Sequence, residues 1–257
     1  MIRLVFALRR KPELSLDEFH DYWRRKHGPL VASFAEDLNI LRYVQTHTLD
    51  DPANEAAKKA RGNMEPHYDG VAEVWWSTEA ELDAALESEA GQAAGAALLE
   101  DEAKFIDLPE SPLWFAYEYP QVNPAPENIV ASVKSNIVRI FFPLRHKSEL
   151  TEEQARHYWL TQHGPIVRSH SAAAGTICYR QVHRANSPLD AGIQSARGTR
   201  VESYLGHAEA WVDRAKAPNT DEARAAGAAF IEDEHNFIDM ERSTFLFGKE
   251  HTFIDRR

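Results

Sequence analysis

The sequence predicts an α+β protein: two tandem β-α-β-β-α-β units, 1–120 and 135–257, that close together into one barrel. Three observations carry this expectation. The phrase Tyr22-Trp23-x-x-x-His27-Gly28-Pro29 returns 136 positions later as Tyr158-Trp159-x-x-x-His163-Gly164-Pro165. The register holds from Arg3/Arg139 to Trp75/Trp211, through Arg61/Arg197. It then shifts to 132, where Glu100-Asp101-Glu102-x-x-Phe105-Ile106-Asp107 matches Glu232-Asp233-Glu234-x-x-Phe237-Ile238-Asp239. One half-size unit was therefore duplicated. Both copies also show the same succession of short β-forming runs and capped amphipathic helices.

Each unit opens on a run the length of a buried strand, Leu4 to Leu8 and Ile137 to Leu144. A helix follows, started by the capping boxes Ser15-x-x-Glu18 and Thr151-x-x-Gln154. Leu16, Phe19, Trp23, His27, Leu30 and Phe34 keep helical spacing and share one buried face. Pro29 withholds a donor and disfavours helix at Gly28, so a stop or kink is expected at His27. That would put the imidazole in the negative end of the helix field. Extended segments are expected at 40–48 and 70–77, with copies at 176–184 and 206–212. The loop of about twenty residues between them is longer than a connection needs and is a candidate lid. A second helix is expected over 79–104, capped by Thr78-x-x-Glu81, and a last strand over 113–119. Pro120, Pro124 and Pro126 make 121–134 an extended linker.

The order β-α-β-β-α-β is the ferredoxin-like one, with two helices on one face of a four-stranded antiparallel sheet. The opposite face carries Trp75 and Trp211 and still needs cover, which the two sheets provide by packing on each other. An intramolecular, pseudo-twofold barrel is the expected result.

At 257 residues and 43% hydrophobic side chains, two modest cores are affordable. Forty acidic against 29 basic side chains give a net charge of -11, which argues against nucleic-acid and anionic-membrane partners. The single cysteine, Cys178, cannot form an intramolecular disulfide and fits a reducing compartment. The start is too short in apolar run for a signal peptide, so a cytoplasmic location is expected.

Four constellations could carry chemistry. His27 and its copy His163 recur although most neighbours changed, and suit proton transfer near neutral pH. Tyr43-x-Gln45-x-His47, repeated as Tyr179-x-Gln181-x-His183, sends three polar groups to one strand face, apt for orienting a polar ligand or for a satisfied buried network. Glu73 and Glu209 interrupt apolar strands, with His207 on the same face in the second half. They can orient a histidine, act as bases, or pair with Arg3 and Arg139. Asp101, Asp107 and their copies read as helix caps. Two histidines and an acid per half resemble the count of a facial triad, but no HxH or HxxxH pair supports a metal, so no metal or other cofactor is expected. Gly-rich phosphate loops and nucleophile elbows are absent.

Phe19-x-x-Tyr22-Trp23-x-x-x-His27-Gly28-Pro29-Leu30, with Tyr43-x-Gln45-x-His47 and Asp101-Glu102-x-x-Phe105-x-Asp107, resembles the EthD domain family of the dimeric α+β barrel superfamily. The second copy departs at Ala155, which stands where the first has Phe19. The resemblance implies a small cavity between sheet and helices in each unit. It implies relatives as varied as polyketide dehydratases, cyclases, decarboxylases, isomerases, cofactorless monooxygenases and haem proteins.

The function expected is that of a cofactor-independent lyase or cyclase acting on a small aromatic or polyketide-like compound. Dehydration, decarboxylation, aldol-type closure and isomerisation all need only acid–base groups. His163, His183, His27 and His47 would move the proton. Tyr43, Gln45, Tyr179, Gln181, Glu73, Glu209, His207, Trp23 and Trp159 would bind substrate. His170, Cys178, Arg180 and His207 have apolar or different counterparts in the first half and favour the second as the working site. The rival expectations are a noncatalytic module that delivers an aromatic intermediate, and a metal- or haem-dependent oxygenase. A homodimer of the two-domain chain is compatible with either.

Overall fold

The computed structural model describes residues 1–123 and 131–257. The first half runs β1 (Ile2–Leu8), α1 (Leu16–Tyr22), α2 (Gly28–Ser33), β2 (Arg42–Thr48), α3 (Pro52–Arg61), β3 (Gly70–Trp76), α4 (Glu79–Glu87), α5 (Glu89–Glu102) and β4 (Leu113–Val122). The second runs β5 (Ile137–His146), α6 (Glu152–Tyr158), α7 (Gly164–Ala174), β6 (Thr176–Arg184), α8 (Asp190–Arg197), β7 (Gly206–Asp213), α9 (Asp221–Glu234), β8 (Ile238–Asp239) and β9 (Leu246–Asp255). β4 outlasts its expected end by three residues. The linker prolines Pro124 and Pro126 lie outside the described residues.

Strand order is β7-β6-β4-β1-β3-β2-β9-β5, and β5 pairs back with β7, which closes an antiparallel barrel of eight strands. Among the described residues, closure leaves no long unpaired edge. The last strand of each half stitches the halves together: β4 lies between β1 and β6, and β9 between β5 and β2.

Alternation along each strand separates two environments. One face points into the barrel, where Val5, Ala7, Val71, Trp114, Phe141 and Val182 form an apolar cluster. The other face points to the helices. There Phe6, Leu8, Phe19, Trp23, Phe105 and Leu113 pack in the first half, each fully buried large side chain contributing roughly 2–3 kcal/mol. In the second half Phe142, Leu144, Trp159, Phe237 and Phe245 do the same around Ala155. Phe245 stands where the first half has Leu113, so the cluster that holds the smaller Ala155 in place of Phe19 also holds a larger side chain elsewhere.

Both capping boxes form as the sequence predicts, with Ser15 and Thr151 each accepting from the third helical N–H. Of the stop or kink expected at His27, the stop does not occur. Trp23–His27 and Trp159–His163 instead widen into π-turns, and the helix continues as α2 or α7 with Gly28 at φ -57°. Pro29 and Pro165 fall in the first turn of the continuing segment, where a missing N–H is tolerated. The imidazoles are thus within a helix, not at its negative end. The long loops also carry order: each folds a helix, α3 after the N-cap Asp51 and α8 in the second half. The second helix of the first half breaks at Ser88, an extended residue that ends α4 and caps α5.

Candidate functional site

Each π-turn is pinned by the strand beneath it. The N–H of Gly28 reaches back five residues to the carbonyl of Trp23, and that same carbonyl accepts from Gln45 Nε2 at 2.9 Å. Gln181 does the same for Trp159 at 2.7 Å. Space is short at the glycine after each histidine: a Cβ at Gly28 would lie 2.3 Å from the Phe253 ring, and one at Gly164 would lie 2.8 Å from the tip of Gln121. The widened turn rotates His27 and His163 toward their sheets.

There each histidine meets a carboxylate 70 or more positions away. His27 Nδ1 lies 2.9 Å from Asp101 Oδ2, and Asp101 Oδ1 accepts from Tyr22 OH at 2.7 Å. His163 Nδ1 lies 2.8 Å from Asp233 Oδ2, and Asp233 Oδ1 accepts from Tyr158 OH at 2.7 Å. Burial alone would raise both carboxyls, but the hydrogen bonds from tyrosine and histidine outweigh it and hold them below the usual aspartate value. Burial and the neighbouring carboxylate push Tyr22 up to about 12. An ionised aspartate only accepts, so Nδ1 carries a proton, and in the neutral imidazole the lone pair is on Nε2. Among the described residues Nε2 of neither histidine has a hydrogen-bond partner. Asp101 and Asp233 are therefore not helix caps; they orient the histidines.

Each histidine lines a cavity between sheet and helices. The first, about 540 Å³, is walled by Leu4, Phe6, Trp23, Tyr43, Trp76 and Phe115 among others. The second, about 420 Å³, has Phe142, Trp159, Tyr179, Phe230, Phe245 and Phe247 in its walls. Both are within the size range of small-molecule sites, and the walls are largely apolar. Glu102 and Arg197 add a paired charge to the first, Glu234 and Arg61 to the second.

The remaining residues singled out in the sequence divide between other places. The Tyr-x-Gln-x-His rows face the helices, but they form closed networks. Tyr43 OH accepts from Trp23 Nε1 at 3.2 Å and from Gln45 Nε2 at 2.9 Å, and Gln45 Oε1 meets His47 Nε2 at 2.9 Å. Trp159 to Tyr179 and Gln181 to His183 repeat the pattern. Tyr43, Tyr179, Trp23 and Trp159 touch the cavities; Gln45 and Gln181 are spent on the π-turns. His47 stacks on the far side of Trp23, 4.6 Å away at 6°, and His183 on Trp159 at 4.4 Å and 8°. Neither lines the cavity that its partner histidine lines. Burial pushes His47 far down and His183 down to about 3, so both stay neutral near pH 7. The expected cooperation of His27 with His47, and of His163 with His183, is corrected: an indole separates them.

Glu73, Glu209 and His207 lie inside the barrel. Arg3 reaches Glu73 at 2.9 Å and Glu209 at 3.1 Å, and Arg139 bonds both carboxylates, so all four oxygens hold a guanidinium N–H. Glu209 borders the second cavity, but its carboxylate is committed to this quartet. Against the burial penalty, the arginines hold Glu73 low and Glu209 well below the ordinary range. His207, between Phe141 and Trp114, has no hydrogen-bond partner among the described residues, and burial pushes it down to about 4. Glu73, His207 and Glu209 could by count hold a metal ion. The donor set does not fit one, since two guanidiniums already occupy the carboxylates and repel a cation.

The grounds for preferring the second half also fall away. Cys178 packs on Ala131 and Trp211, Arg180 turns toward Glu209 and Glu118, and His170 bonds the Ile166 carbonyl. With His207 inside the barrel, none of the four lines the cavity of the second half.

A family model for the EthD domain matches residues 11–109 and again 147–241. The chain belongs to the EthD domain family. The two matched stretches contain both Tyr–Asp–His sets of this EthD protein and make it a tandem one. No curated protein matches its sequence. Among solved structures, an anthrone oxidase-like protein is similar at a TM-score of 0.53 and 10% identity, over 100% of this chain and 94% of that one. A protein of Lactobacillus acidophilus NCFM, provisionally named a monooxygenase, reaches a TM-score of 0.48 at 10% identity, over 99% and 96% of the two chains. At that identity the first likeness speaks to the α+β barrel fold. No helix among the described residues is long and apolar enough to cross a membrane.

Sequence reading missed the aspartates, although the doubled Tyr22, Asp101 and Glu102 were visible signals. It also passed over Arg61 and Arg197 as site residues, although they keep the 136 register.

Proposed function

We propose that this protein is a cofactor-independent acid–base enzyme of lyase or cyclase type, with one site in each of two ferredoxin-like units, acting on a small aromatic or polyketide-like compound. The observation that carries this reading is the doubled Tyr–Asp–His set, whose histidine has one nitrogen held by a carboxylate and the other unclaimed at an apolar cavity. The aspartate fixes the tautomer and steadies the imidazolium once Nε2 has taken a proton from carbon or oxygen of the ligand. His27 or His163 then returns that proton to the leaving group or to a second carbon. Aromatic walls exclude water and favour a planar, largely uncharged ligand. His47 and His183 support the site by stacking, and do not titrate in the working range.

The oxygenase alternative draws on the count of two histidines and an acid per half, on the family resemblance and on the names of fold relatives. Where it would require a cation, the arginine-saturated barrel cluster argues against one at Glu73, His207 and Glu209.

The test uses a panel of phenols, aromatic acids and lactones, with turnover and binding measured for His27→Asn, His163→Asn and the double variant. Loss of turnover by about 10²-fold or more in the double variant, with binding kept, supports acid–base catalysis. Unchanged turnover in the double variant refutes it.

A further inference from the structure

Each cavity is roofed by the other half of the chain. α8 and the residue before it, from the second half, supply Leu189, Ile193 and Arg197 to the first cavity, and α3, from the first half, supplies Ala57 and Arg61 to the second. Both helices are attached in the same two ways. At the N-terminal end, Asn54 Oδ1 accepts from the Phe247 N–H at 2.8 Å, and Asp190 Oδ1, the equivalent position, accepts from the Phe115 N–H at 2.8 Å. At the C-terminal end, the last helical residue is an arginine in a two-pronged pair with a glutamate of the roofed half. Arg197 holds Glu102 at 2.8 and 2.9 Å, and Arg61 holds Glu234 at 2.8 and 3.1 Å. A glycine with positive φ follows each arginine, Gly62 at 120° and Gly198 at 64°. Apart from these anchors the helices bury little. α8 has no fully buried residue, and those of α3 are the polar Asn54 and Lys58.

We propose that α3 and α8 are exchanged lids, each fixed at its N-terminal end and latched at its C-terminal end by the arginine–glutamate pair, so that either half controls ligand entry to the other. Glu102 and Glu234 directly follow the aspartates that hold His27 and His163, and each lines the same cavity as that histidine. A bidentate pair shielded from water outlasts an ordinary surface ion pair, yet a tilt about the N-terminal anchor must break it. The lids are unequal. Gln194 adds a bond to the Leu113 carbonyl at 3.0 Å, whereas its equivalent Lys58 turns to Glu55 on its own helix. The proposal does not rest on the catalytic reading, since a binding module needs the same gate.

The experiment is residue-resolved hydrogen exchange on the whole chain, with stopped-flow entry of the neutral probe N-phenyl-1-naphthylamine. Arg197→Met is expected to speed exchange over 190–197 by about tenfold and leave 52–61 unchanged, and Arg61→Met to do the reverse. Each raises the probe's entry rate by a similar factor. The charge-reversed pair Arg197→Glu with Glu102→Arg restores slow exchange, which separates a latch from a general loss of packing. Exchange that stays unchanged in both methionine variants, or that rises equally over both helices in each, overturns the proposal.

Discussion

The barrel interior and the helix-side cavities use the same chemical groups to opposite ends. Inside the barrel, Glu73 and Glu209 face Arg3 and Arg139 with every carboxylate oxygen bonded, and His207 sits neutral between aromatic rings. In the cavities, Asp101 and Asp233 each bind one histidine nitrogen and leave the other facing an apolar space. Saturated carboxylates and a histidine enclosed by aromatic rings mark the first as structure; a histidine nitrogen unclaimed at an open cavity marks the second as a site. Burial does not separate them, since Glu73 and His207 are more deeply buried than His27. A group gains chemical use from the partner it lacks, provided the space it faces admits a ligand.

That contrast predicts a ranking of substitutions. Arg139→Leu leaves Glu73 and Glu209 with half their cationic partners in a buried place, and should cost about 3–5 kcal/mol of stability in urea unfolding. A loss under 1 kcal/mol would mean that the quartet is not structural. Asp101→Asn should cost less stability but change pH behaviour. The wild-type carboxyl is held low, so its stabilising contribution is full above the unfolded aspartate value near 3.8 and fades as pH falls through the lower folded value. The amide variant should show a flatter loss of stability below about pH 4.

His207→Leu should be the mildest of the three, within about 1 kcal/mol of wild type at pH 8, because among the described residues the imidazole makes no hydrogen bond and its nearest carboxylate, Glu209, is 3.6 Å away. Its folded value near 4 is below that of a free histidine, so the unfolded chain binds the proton first. Stability should fall as pH drops from about 6.5 to 4, and the leucine variant should fall less over that window. His183 and His251, pushed down to about 3 and 4 by burial, retain part of the slope. Raising salt from 0.05 to about 0.5 M should leave the barrel quartet's contribution intact and speed lid exchange by a factor of about two.

Much of the fold was legible because it depends on local patterns. Ser15-x-x-Glu18 and Thr151-x-x-Gln154 start helices where the sequence says, and the alternation of Ala72, Val74 with Glu73, Trp75 sorts the two faces of β3. The site was less legible because its contacts are distant in sequence. Nothing near His27 names Asp101 as its partner, and the orientation of the Tyr43 row depends on which sheet face meets the helix. Pro29 misled for a physical reason: a π-turn absorbs the lost donor without ending the helix, and Gln45, from another element, stabilises that turn. The lid helices had a readable start at Asp51-Pro52, an N-cap followed by a first-turn proline. That each lid serves the opposite half follows only from the barrel's closure.

The most direct test of the central claim is a crystal structure of the chain with a bound member of the phenol, aromatic acid and lactone panel. The account predicts the ligand in the cavity under α3 or α8, with a proton-bearing or proton-accepting atom about 2.6–3.2 Å from Nε2 of His163 or His27. A ligand bound instead against His47 or His183, on the far side of the indole, would contradict it.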